Sequence, residues 1–298
     1  TDIIGFYYNR DSAIDSPDDE KAFYWLKLAA EQGHCEAQYS LGRKYSEDKS
    51  RHKDNEQAIF WLKKAALQGH TFASNALGWI LDRGEDPNYK EAVAWYQIAA
   101  ESGMSYAQNN LGWMYRNGNG VAQDYALAFF WYKQAALQGH SYAQDNLADL
   151  YEDGKGVAQN KTLAAFWYLK SAQQGNRHAQ FQIAWDYNAG EGVDQDYKQA
   201  MYWYLKAAAQ ESVGAYVNIG YMYKHGQGVE KDYQAAFEWF MKAAECNDAT
   251  AWYNLAIMYH YGEGRPVDLR QALDLYRKVQ ASGTRDVSQE IREIEDLL

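Results

Sequence analysis

A tryptophan returns along this chain at an almost fixed interval, and that interval restricts the fold more than any other feature. Trp25, Trp61, Trp95, Trp131, Trp167, Trp203 and Trp239 are spaced 36, 34, 36, 36, 36 and 36 residues apart, and Leu275 continues the column 36 residues later. A constant period of this size means that one small unit is copied along the chain, each copy burying its apolar face against its neighbours. Length alone would favour about two globular domains. The period replaces that reading with a single array over residues 1–298.

The residues around each tryptophan describe a helix, here called helix B. Three positions earlier stands Ala22, Ala58, Ala92, Ala128, Ala164, Ala200, Ala236 or Ala272, and an alanine pair follows most members, as in Ala65-Ala66 and Ala135-Ala136. These offsets share one helical face. Small residues there let a neighbouring helix approach while the indole fills the gap. On this reading Trp131 is a core ring whose truncation costs about 3–5 kcal/mol.

The ends of helix B are marked as well. Seven positions before the column stand Asp18, Asp54, Asn88, Asp124, Asn160, Asp196, Asp232 and Asp268. Short side-chain oxygens at this place accept the orphan N–H groups of a first turn. Eight positions after it stand Gly33, Gly69, Gly103, Gly139, Gly175 and Gly283, with Asn247 and Glu211 as exceptions. The left-handed conformation that ends a helix suits Gly and Asn, whereas Glu211 pays for its Cβ there, so that turn is expected to differ.

Between successive B helices lies helix A. It carries Leu41-Gly42…Tyr45, Leu111-Gly112…Tyr115 and Ile219-Gly220…Tyr223, with variants at Leu77-Gly78…Leu81, Leu147-Ala148…Tyr151, Ile183-Ala184…Tyr187 and Leu255-Ala256…Tyr259. A G-x-G connector follows at Gly118/Gly120, Gly154/Gly156, Gly190/Gly192, Gly226/Gly228 and Gly262/Gly264. Together these columns resemble the Sel1-like repeat, a relative of the tetratricopeptide repeat, over nearly the whole chain. The resemblance implies an all-α, right-handed α/α solenoid (superhelix) of antiparallel helix pairs with a period of about 36 residues. It also implies an adaptor that assembles complexes, and for many bacterial members export and a role in the envelope or in host interaction.

The array is read as a truncated half-repeat over 1–17, consecutive repeats over 18–283 and a capping helix over 284–298. Ile4, Gly5 and Tyr8 look like the tail of a helix A that begins before Thr1. At the other end Val287 and Ile291 take the Ala and Leu positions, and Arg292 replaces the glycine. Two connectors depart from the pattern: 46–55 keeps its length but loses both glycines to charge, and 82–89 is two residues short and holds Pro87.

Composition removes several functions. A formal net charge of −11 argues against nucleic acid, which demands a basic stripe, and no run of 18 apolar residues is present to insert in a membrane. The two cysteines, Cys35 and Cys246, supply no disulfide framework. That also counts against the rival reading as an enzyme acting on cell-wall or β-lactam-like substrates, which the resemblance allows only through cysteine-rich relatives with a disulfide in every repeat. The G-x-G connectors recur at one period and read as turns rather than phosphate cradles. No catalytic residue, metal ligand or cofactor is assigned. His34, His70 and His140 follow the helix-ending glycine and read as turn residues.

The remaining candidate surface is the face of helix A opposite its Ala, Leu, Gly and Tyr columns. It holds the positions five before, two before, two after and five after Leu. Two after Leu stand Arg43, Trp79, Trp113, Asp149, Trp185, Tyr221 and Ile257; two before stand Tyr39, Asn75, Asn109, Asp145, Phe181, Val217 and Tyr253. Aromatic residues on a face expected to be wet are what recognition surfaces use. Burial of the same rings between neighbouring A helices is the other reading. Asp145, Asp149 and Glu152 form an acidic stripe, with Trp113 and Trp185 expected on either side. Such a stripe suits a Lys or Arg side chain of a partner, a solvated patch, or Ca²⁺. Neutralising Asp145 and Asp149 is expected to relieve an i, i+4 repulsion without cost in stability. Asn110, Asn146, Asn218 and Asn254 read either as hydrogen bonders to a ligand backbone or as structural. The function these features favour is a monomeric, non-catalytic scaffold binding a protein or peptide, one with a basic segment among them, in the concave groove. A spacer without a groove ligand is the further alternative.

Overall fold

The computed structural model describes residues 17–47, 52–84 and 86–298. The expected helix around Ile4, Gly5 and Tyr8 lies outside them. The described residues form sixteen helices and no strand. The chain divides into two compact units, residues 1–140 and 141–298. In the first unit the B helices are α1 (Pro17–Glu31), α3 (Asn55–Leu67), α5 (Tyr89–Glu101) and α7 (Tyr125–Leu137), alternating with the A helices α2 (Cys35–Ser46), α4 (Thr71–Arg83) and α6 (Ser105–Asn117). In the second unit the A helices are α8 (Ser141–Asp153), α10 (Arg177–Ala189), α12 (Val213–His225) and α14 (Ala249–Tyr261). Its B helices are α9 (Lys161–Gln173), α11 (Tyr197–Ala208), α13 (Tyr233–Glu245) and α15 (Leu269–Ser282), and α16 (Ser288–Glu295) closes the chain. Consecutive helices pack as pairs, the α/α solenoid class.

The core is centred one residue beyond the tryptophan column. Leu62, Tyr96 and Tyr132 in the first unit, and Tyr168, Tyr204, Phe240 and Tyr276 in the second, are at most 1% exposed. The tryptophans themselves are graded: Trp61, Trp95 and Trp203 are buried, Trp131, Trp167 and Trp239 half-buried, and Trp25 is 62% exposed. The expectation that Trp131 is a core ring is therefore corrected. The two positions are 100° apart on a helix, and the face that meets the small residue of helix A belongs to the second. A Cβ on Gly112 would lie 2.8 Å from Tyr132 Cδ1, and one on Gly220 would lie 2.8 Å from Phe240 Cδ1, so glycine here admits the ring of the following helix.

The caps follow the sequence closely. Asp54, Asp124, Asp196 and Asp268 each accept two backbone N–H groups of the first turn, and Asn88, Asn160 and Asp232 accept one. Helix α1 instead begins at Pro17, which places Asp18 inside its first turn. The connector glycines are left-handed, and a Cβ on Gly120 would lie 2.4 Å from the Tyr89 carbonyl oxygen, so this connector rests on the start of the previous helix B.

Glu211 departs from expectation. It takes φ 62° and keeps the same turn as the glycines, with Ser212 N–H donating to the Ala207 carbonyl at 3.2 Å as His140 does to Ala135 at 3.2 Å. The turn is imposed by the helices on either side, so the strain falls on Glu211 rather than on the path. Glu211→Gly is expected to raise stability by about 1 kcal/mol in thermal melts. A neutral or destabilising result would show that the Glu211 side chain compensates.

A feature not drawn from the sequence joins successive repeats. Gln38, Gln108 and Gln180 are buried and donate to the Ala30, Ala100 and Ala172 carbonyls at 3.1–3.2 Å. Their side-chain oxygens accept from Gln68, Gln138 and Gln210, just past the end of the next B helix, at 2.7–2.8 Å, and Gln144 accepts likewise from Gln174. Each of the three links neighbours through both ends of a buried amide. Gln108→Leu is expected to cost about 1 kcal/mol in urea melts, because Ala100 O and the Gln138 amide each lose one hydrogen bond while keeping Gly103 N–H and Gln134 O. Wild-type stability would mean that water replaces the amide freely.

Candidate functional site

The outer face of the A helices is aromatic and accessible in both units. In the first, Trp79 and Trp113 are 46% and 42% exposed, and Phe72 and Tyr106, five residues before Leu77 and Leu111, are more exposed still. Tyr39, Phe72, Trp79 and Tyr106 line a groove of about 500 Å³ together with Arg43 and Asn75. Tyr39 stacks on His70 with ring centroids 4.4 Å apart, and His70 caps α4 by accepting the Ala73 N–H at 3.1 Å. Trp79 carries the Arg83 guanidinium at 5.4 Å. Asn109 is half-buried on the same face of α6. Tyr39 and Trp79 are thus brought into one groove. Phe72 and Tyr106, from the column five before Leu, complete it.

In the second unit Trp185 and Tyr221 are 46% and 47% exposed. Phe181 leans on Tyr204 at 5.7 Å, and Tyr221 lies 4.1 Å from the His225 ring. Tyr253 packs against Tyr276 at 6.0 Å and under the Arg285 guanidinium at 4.0 Å, so the C-terminal segment already engages it.

The acidic stripe is not a free patch. The Asp145 side chain is only 13% exposed, and its two oxygens lie 3.0 and 3.2 Å from His178 Nδ1, which comes from the next A helix. Burial raises the Asp145 carboxyl above the ordinary carboxylate range, opposed by His178. Asp149 accepts the Tyr168 hydroxyl at 2.9 Å, and Glu152 pairs with Lys161 at 3.5 Å. Neutralising Asp145 and Asp149 therefore removes interactions with α9 and α10 as well as a repulsion, and the expectation of no stability cost is corrected. The partners of Asp149 and Asp145 lie 19 and 33 residues away in sequence, beyond any single-helix argument. In the asparagine column, Asn218 and Asn254 donate to the Gly214 and Thr250 carbonyls one turn back, and Asn110 donates to Asn75.

Behind this face lies a residue missed in the sequence. Asp186 stands three after Ile183, in a column otherwise filled from Leu77 onward by Ile80, Met114, Leu150, Met222 and Met258. It is 5% exposed and its Oδ2 has no hydrogen-bond partner. Burial, with Glu152 and Glu191 adding to it and Lys161 opposing, pushes its carboxyl up to about 7.

Paired antiparallel helices joined through small-residue contacts define the tetratricopeptide-like class of helical repeat proteins. Within it, the chain belongs to the Sel1 repeat family: the Sel1 repeat matches residues 5–34, 35–70, 71–104, 105–140, 141–176, 177–212, 213–248 and 249–278. It is 96% identical over 122 residues to the Sel1-repeat-containing protein YbeQ of Escherichia coli K12, a match covering 41% of this chain and 38% of that relative. Among solved structures it is similar to c5321, a protective antigen of uropathogenic Escherichia coli with the same repeat fold, at 35% identity and TM-score 0.81 over 88% of this chain and 56% of that one. A Sel1 repeat protein from Oxalobacter formigenes matches at 32% identity and TM-score 0.66, covering 72% and 86% of the two chains.

Proposed function

We propose that the chain is a non-catalytic scaffold that holds a peptide or protein segment against the outer face of its A helices. The observation that carries this reading is the first-unit groove lined by Tyr39, Phe72, Trp79 and Tyr106 beside Arg43 and Asn75. Packing does not require rings at these positions, since the same columns hold Arg43, Val217 and Thr250 elsewhere. Large accessible aromatics with a few polar neighbours favour recognition. Membership of the Sel1 repeat family, a family generally of protein-interaction scaffolds, supports it. The net charge of −11 favours a basic segment, bound by a monomer. Likeness to a protective antigen supports an envelope or host-facing setting.

Peptides selected from a random display library on the intact chain test this. Their affinity is expected to fall about tenfold or more for the Phe72→Ala, Trp79→Ala double variant, and to weaken with added salt. Helical content should persist, since both side chains are largely solvent-facing. Selected peptides that bind the variant as well as the wild type would overturn the groove reading.

A further inference from the structure

The repeats provide their own control for what the entry to helix A needs. Ahead of its first turn stand His34, His70, Met104, His140, Asn176, Ser212 and Asp248. Asn176 and Asp248 accept the Ala179 and Ala251 N–H groups on a side-chain oxygen, whereas His34, Met104 and Ser212 provide no side-chain cap. His70 caps with a ring nitrogen instead: Nδ1 accepts the Ala73 N–H at 3.1 Å. The fold thus accepts several residues here, uncapped ones included. At α4, which carries Phe72 and Trp79 into the first-unit groove, the acceptor belongs to a side chain that changes charge near neutral pH.

Accepting at Nδ1 fixes the neutral ring with its proton on Nε2, 3.3 Å from Glu36 Oε1. One face of the ring carries Tyr39 at 4.4 Å and 27°, and Phe72 meets it edge-on at 6.2 Å. Tyr39 and Phe72 are two of the groove's rings, and the imidazole beneath them is 8% exposed. Among the described residues, the titratable groups that meet it are Glu36 and Tyr39, both from α2. A further proton falls on Nδ1, where it points at the Ala73 N–H and the hydrogen bond is lost. It also puts a positive charge at the N-terminus of α4, where the helix dipole opposes it. Glu36, with its side chain 86% exposed, offsets this weakly. The protonated ring relieves both conflicts by turning away from Ala73, and so withdraws the surface under Tyr39 and Phe72.

We infer that His70 is a pH switch on the first-unit groove. Neutral, it holds Tyr39 and Phe72 in place for a peptide; protonated, it releases them, so the groove binds near neutral pH and lets go in mild acid. This rests on the groove reading above and names its regulation. His70 does not itself line the groove, so it acts as a positioning residue for the rings that do. A ligand that needs the neutral form binds in proportion to the fraction of chains that hold it.

Two readouts test the switch, the first without ligand. In the free full-length chain, hydrogen exchange of the Ala73 amide reads the cap, with Ala251, capped by Asp248, as the reference in the same molecule. From about pH 7.5 to about pH 5.5 the protection of Ala73 relative to Ala251 is expected to fall about fivefold or more. In His70→Asn, which supplies the side chain that caps α10, the ratio should stay within about twofold. The second readout is the affinity of histidine-free peptides selected on the chain and weakened by the Phe72→Ala, Trp79→Ala double variant. Over the same pH step it should fall about fivefold or more in the wild type and stay within about twofold in His70→Asn. Ala73 protection that does not change with pH would overturn the switch. So would wild-type affinity that ignores the pH step, or an equal fall in His70→Asn. Selected peptides indifferent to the double variant would instead overturn the groove reading, and with it the regulation, whatever the Ala73 ratio shows.

Discussion

Asp186→Met is expected to be more stable than the wild-type chain at pH 8 by on the order of 4 kcal/mol, with the gain shrinking as pH falls toward 4. The carboxyl sits in an apolar column, lacks a partner for Oδ2, and is held up to about 7 chiefly by burial. Glu152 and Glu191 add to the cost of its charge, and Lys161 offsets part of it. The folded-state value lies above the unfolded one, near 3.9. Between about pH 4 and 7 the folded chain therefore holds a proton that the unfolded chain has lost, and stability declines as pH rises through that window. Below about pH 4 both states are protonated and the penalty is absent. Methionine, found in this column at Met114, Met222 and Met258, removes the charge without opening a cavity. Urea melts of both chains at pH 4, 6 and 8 measure it. A difference independent of pH would show that Asp186 is not the buried proton-binding group described here.

Tyr132→Ala is expected to destabilise the chain by about 3–5 kcal/mol, and Trp131→Ala by about half as much. Tyr132 has no exposed surface and fills the space above Gly112, whereas Trp131 is partly in water already. Truncating the tyrosine leaves a cavity lined by a glycine helix that cannot move in to close it. Equal losses in denaturant melts would return the core to the tryptophan column.

Much of this was legible because a repeat prints the same physics several times. The Asp/Asn caps, the left-handed glycines and the helix pairing each rest on local rules that act within a few residues, and the period aligned them. Where the local rule and the fold disagreed, at Glu211, the flanking helices imposed the turn. The aromatic outer face was also visible as columns, although Phe72 and Tyr106 enter the groove only once neighbouring A helices are placed side by side.

The sequence by itself determined the repeat, the two helices of each copy, their ends, and which face of helix A carries the aromatic columns, since these follow from periodicity and backbone preference; that those rings stay exposed was decided by the tertiary structure. The tertiary structure decided which of two adjacent residues on helix B fills the core, because a rotation of one residue changes which side chain meets the small position of helix A. It also decided that Asp145 faces His178, that Asp149 faces Tyr168, and that Asp186 lies buried without a full set of partners. Those contacts join positions roughly one repeat apart or less, and their energies depend on exclusion of water and on the partner across the gap, neither of which a single helix can specify.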